Sequence, residues 1–140
     1  MFIHQKIDDP LFGKMILAPD ESSYHGEVLF VPLKEKIQIN VLSSSSRPTN
    51  KQHSLYKEIE QRYNEWIEKI PSFIENAFPQ KGRLLSTFEF TKTFELQGIW
   101  IADLDKTIDT WEIEYATEGL DGLISIQFVN WEPSGFSFVQ

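Results

Sequence analysis

Apolar residues recur with a period of two along the first part of the chain. In residues 35–42, Ile37, Ile39 and Val41 alternate with Gln38 and Asn40, the spacing of a strand with one buried and one wet face. The runs at 24–33 and 13–19 read as two further strands, the second closed by the turn cluster Pro19-Asp20-Glu21-Ser22. The period then changes. After the small polar residues and proline of 43–50, Leu55, Ile59, Tyr63, Trp66, Ile67 and Ile70 recur at steps of three or four, with Glu58/Arg62 and Glu65/Lys69 spaced i,i+4 on the opposite side. This pattern predicts an amphipathic helix that begins beside the capping residues Thr49 and Asn50.

One straight helix over 51–78 would be about 42 Å long, and a domain of this size is only about 35–40 Å across. Pro71 has no amide hydrogen and crowds the preceding turn, so a kink or restart is expected there. Phe73, Ile74, Ala77 and Phe78 would form a second short apolar face, ended by Pro79 and Gly82. From residue 84 the period of two returns, with strands expected at 84–91, 94–102, 109–117 and 122–130 and a last edge strand in Phe136-Ser137-Phe138-Val139. The links are too short for crossover helices, so these neighbours are antiparallel, and the glycine-bearing turn at 117–122 favours a hairpin. The fold class is therefore α+β: a largely antiparallel multistranded sheet with an inserted, proline-kinked amphipathic helical segment. No repeat, linker or coiled-coil heptad divides residues 1–140, which read as one domain with nothing to set an oligomeric state.

Composition narrows the function classes. With 41% hydrophobic and 24% charged residues the chain is expected to fold unaided. The absence of cysteine excludes disulfides, thiolate metal sites and cysteine nucleophiles, and nothing suggests an oxidising compartment. The N-terminus lacks the apolar run of a secretory signal, and no stretch approaches the roughly 18 apolar residues needed to span a bilayer, so a cytoplasmic location without membrane insertion is expected. The net charge of -8 is segregated: residues 1–83 hold 11 basic and 11 acidic side chains, whereas beyond them only Lys92 and Lys106 oppose ten acids. Such a field repels nucleic acid and steers a basic partner toward the C-terminal half.

The candidate chemistry is sparse. Asp103-x-Asp105-x-Thr107-x-Asp109, with Glu114 further on, mimics the oxygen offsets of a calcium loop, but Ile108 stands where that loop requires glycine. A solvated acidic turn accounts for it. Glu112 and Glu114 project to one face of a strand, which suits acid/base work in a cleft but more often marks the wet side of a sheet. His4, His25 and His53 lie in separate segments with no metal-binding spacing, and neither a nucleophile elbow nor a phosphate loop occurs. No cofactor is implied. Trp100 points away from the face of Ile99 and Ile101, either toward a second buried layer or outward as an interface anchor with a charged rim.

In order of elements, from Phe12-Gly13-Lys14-Met15 through QRYNEWIEKIPSFIENAF to DGLISIQFVNWEPSGF, the chain resembles a group of small bacterial domains of unknown function, which are similar in turn to families found beside polymorphic-toxin and contact-dependent inhibition loci. That resemblance implies an immunity partner for a toxin. Taken with the charge segregation, it leads to an interaction protein that binds a basic partner through Trp100, Asp103, Asp105, Asp109, Glu112, Glu114 and Asp121. The alternative is a small-molecule-binding domain or enzyme with a pocket between helix and sheet.

Overall fold

The computed structural model describes residues 6–18, 23–43, 45–77, 94–117 and 123–139. The expected strand at 84–91, the turns at 19–22 and 118–122, the helix end at Pro79 and Gly82, and Asp121 lie outside them. Among the described residues eight strands form one sheet in strict chain order. They are β1 (Lys6–Asp9), β2 (Gly13–Leu17), β3 (Ser23–Phe30), β4 (Glu35–Leu42), β5 (Phe94–Ile101), β6 (Thr110–Thr117), β7 (Leu123–Val129) and β8 (Glu132–Val139). Every pairing is antiparallel except β4 with β5, the one junction at which the chain leaves the sheet and returns. The largely antiparallel sheet read from the period of two is present. The short, charged β1 had no apolar pattern to announce it.

The helical segment between β4 and β5 comprises α1 (Asn50–Gln61), α2 (Tyr63–Trp66), a 3-10 turn (Ile67–Lys69) and α3 (Ile70–Ala77). Thr49 caps α1 in a reciprocal box: its hydroxyl accepts from the Gln52 amide at 3.3 Å, and the Gln52 side chain accepts from the Thr49 amide at 2.9 Å. Gln52 is fully buried because its amide group also donates to the carbonyls of Leu42 (2.6 Å) and Ala102 (2.9 Å), tying the ends of β4 and β5 to the start of the helix. The first interruption comes at Arg62, well before Pro71. There the Ile59 carbonyl accepts instead from the Trp66 indole N–H at 2.8 Å. α3 restarts at Ile70, whose amide takes the Ile67 carbonyl, so Pro71 falls in a first turn where a missing amide costs little.

One face of the sheet meets these helices. Register partners Ile39, Ile99, Ile113 and Ile126 form its central row, all inaccessible to solvent. Leu55, Tyr56, Ile59, Trp66, Ile67 and Ile70 close over it. Trp111 stacks on Phe128 at 4.2 Å, and Trp66 meets both edge-on. Of the two expected i,i+4 pairs, Glu58 and Arg62 lie 3.6 Å apart, but Lys69 turns to Glu132 (2.6 Å) and the Trp131 carbonyl (2.9 Å). Arg62 covers the Trp131 ring at 4.5 Å.

Candidate functional site

Because side chains alternate along each strand, the residues between the core rows emerge on the other face of the sheet, over which no described element packs. The register aligns one row across six strands there: Ile16, His25, Asn40, Trp100, Glu112 and Gln127. Trp100 is half-buried in the middle. Its indole N–H donates to Glu114, and its ring meets that of His25 edge-on at 5.8 Å. Glu112, directly opposite Trp100, accepts from the buried Ser125 hydroxyl at 2.5 Å. Glu95 is exposed further along the same side, and β5 to β8 contain no lysine or arginine. A polar groove of about 330 Å³ runs beside this cluster over Gly98, where an added Cβ would stand 3.2 Å from the Gln38 carbonyl oxygen.

The six described candidate residues therefore separate into two groups. Trp100, Glu112 and Glu114 come together on the face opposite the helices. Asp103, Asp105 and Asp109 lie in the loop between β5 and β6, which runs to the helix side. Asp105 sits 3.4 Å from Lys51 of α1, and Asp109 borders a concavity with Asn50, Lys51, Ser54 and Glu58 of the same helix. Asp103 accepts the Asp105 amide at 3.1 Å, and Ile108 is exposed in the acidic turn. Among the described residues no three histidine, aspartate or glutamate side chains converge as a metal site. Asp121 lies outside the described residues.

Residue typing missed what surrounds Trp100. His25 Nε2 lies 2.9 Å from Ser23 Oγ, and its Nδ1 bonds Asn40 Oδ1. The alternation of β4 marked Asn40 as wet, whereas it is 5% exposed, because the strand order sets it between His25 and Trp100. The strongly perturbed acids are phenols on or beside the helix side. Burial, then the neighbouring Glu60 carboxylate and its hydrogen bond, push Tyr56 up; burial and Glu35 raise Tyr63; burial, then Tyr63, holds Tyr115 well above the ordinary range. In the unfolded chain these phenols ionise first, at about pH 10. Stability is therefore expected to be indifferent to them below about pH 10 and to fall as pH rises beyond it. Urea midpoints on either side of that value should show this, with a shallower fall for Tyr56→Phe.

Among the described residues no helix is long and apolar enough to cross a membrane. No family model matches the chain, and no curated protein or solved structure shows significant similarity to it.

Proposed function

We propose that this chain is a bacterial cytoplasmic interaction protein, of the kind that serves as immunity partner to a toxin, and that it binds a basic protein surface through the face of β5 to β7 that carries Trp100. The observation that carries this reading is Trp100 flanked by Glu112 and Glu114 on strands without a cation. A half-buried tryptophan in a charged rim has the composition of an interface anchor. Glu112 and Glu114 hydrogen-bond to Ser125 and Trp100, so their carboxylates are held in place before a partner arrives. The loop acids, of which Asp105 already faces Lys51, contribute long-range attraction more than contact. Helix and sheet meet through interlocking rings, which favours this face over a ligand pocket between those layers.

The test uses the product of an adjacent toxin-like reading frame as partner. Trp100→Ala is expected to weaken binding about 30-fold, equivalent to about 2 kcal/mol at an anchor position. The double variant E112K/E114K should slow association about tenfold and flatten its dependence on salt. Binding by both variants that matches the unaltered chain in affinity, rate and salt response would discard the reading.

A further inference from the structure

The face that carries Trp100 also holds a contact chain that a binding surface does not need. Ser23 and His25 are two apart on β3 and point the same way, and Asn40 is the register partner of His25 on β4. Asn40 turns Oδ1, an acceptor, toward His25 Nδ1, an arrangement that suits the tautomer with its proton on Nδ1. In that tautomer His25 Nε2 is bare and can accept from the Ser23 hydroxyl, 2.9 Å away. A hydroxyl tied to an imidazole, whose tautomer a third side chain sets, is the arrangement of a base-activated nucleophile.

A second observation points to what would react there. Ile16, the register partner of His25, and Leu42, the register partner of Ser23, are large apolar side chains 45% and 36% exposed. Leu42 thus neighbours Ser23, while Ile16 and the Trp100 ring neighbour His25, so apolar side chains adjoin both members of the pair. Ser23 is 6% exposed, so a small substrate is favoured over a bulky one.

We propose that Ser23 is an acyl-accepting nucleophile for small esters with linear apolar chains, with His25 as its general base and Asn40 as the positioning residue. In the first step Ser23 Oγ bonds to the ester carbonyl carbon while its proton passes to His25 Nε2. The tetrahedral adduct then expels the alcohol, which leaves with that proton. In the second step water attacks the acyl-serine, His25 takes the proton of the water and returns it to Ser23 Oγ, and the carboxylic acid is released. No oxidant or metal enters either step. The site lies on β3 and β4 and requires no protein partner, so its failure would not touch the binding reading.

The experiment treats the full chain with an alkyl fluorophosphonate and, separately, with p-nitrophenyl butyrate. One phosphonyl adduct is expected, located on Ser23 by peptide mass, together with release of nitrophenolate that Ser23→Ala abolishes. His25→Gln should slow labelling at least about 100-fold, the usual contribution of a positioned base. Asn40→Asp, which keeps the acceptor, should preserve labelling, whereas Asn40→Leu should depress it with the fold intact by circular dichroism. A wild-type chain left unlabelled at Ser23, labelling undiminished by His25→Gln, or ester turnover that survives Ser23→Ala would each overturn the assignment. The first of these needs no folded variant.

Discussion

Trp66→Ala is expected to destabilise the fold by about 3–5 kcal/mol, the range for deleting a large buried aromatic side chain. Trp66 is 1% exposed and sits where α2 meets the sheet. Its ring centroid lies 5.0 Å from Tyr63, 5.2 Å from Trp111 and 5.9 Å from Phe128, so it joins the helices to β6 and β7 at once. Truncation removes those contacts and opens a cavity that rings held from three sides cannot collapse to fill. It also takes the indole donor from the Ile59 carbonyl at the point where the helix is interrupted. Trp66→Phe keeps most of the ring contact but not the donor, and should cost about 1–2 kcal/mol less than alanine by area retained. Urea unfolding followed by far-ultraviolet circular dichroism would show a lower midpoint at unchanged slope. A cost below about 1 kcal/mol for the alanine variant would mean that α2 is not docked on the sheet as described.

The contrast between Trp66 and Trp100 indicates which parts of the molecule are legible in sequence. Trp66 belongs to a helical period shared with Leu55, Ile59 and Ile70, and all four are buried. Local periodicity is enough there, because a helix face is set by residues a few positions apart. Trp100 was placeable on a face, but what shares that face depends on strand order. The parallel junction of β4 and β5 puts Asn40 beside Trp100 only because the helical segment carries the chain across, and no local pattern records where a crossover returns.

Charge was misleading for the same reason. Asp103, Asp105, Asp109, Glu112 and Glu114 are close in sequence, yet the loop delivers the first three toward α1 while β6 presents the last two on the opposite face. Gln52 shows the converse. A polar residue in a helix reads as solvent-facing, but here it is buried because strand-end carbonyls from two distant segments converge on it. Asp9 and His53, 44 residues apart, were equally beyond local reasoning.

The Asp9 and His53 pair carries the second large effect: Asp9→Ala should cost about 3–5 kcal/mol, as expected when one partner of a buried, hydrogen-bonded charge is removed. The Asp9 side chain has no solvent exposure, and that of His53 is 15% exposed. The carboxylate accepts the amides of Leu11 (2.9 Å) and Phe12 (2.8 Å), which shapes the turn between β1 and β2, and it meets His53 Nε2 at 2.9 Å. Alanine strands two amides and an imidazole nitrogen together. Phe12, packed edge-on against His53 and Tyr56 at 5.3 Å, would loosen with them. The two side chains form one unit, so the costs of D9A and H53A should not add: the double variant should be at least about 1 kcal/mol more stable than their sum, because each single change leaves the other group buried with its partner lost. Additive costs, each below about 1 kcal/mol, would mean that the pair does not join the first hairpin to α1. Hydrogen exchange adds a spatial reading. Because β1 is a four-residue edge strand whose pairing is to β2 alone, its amides in D9A should open well before those of β5 to β7, so the hairpin is lost first and the core sheet only afterwards.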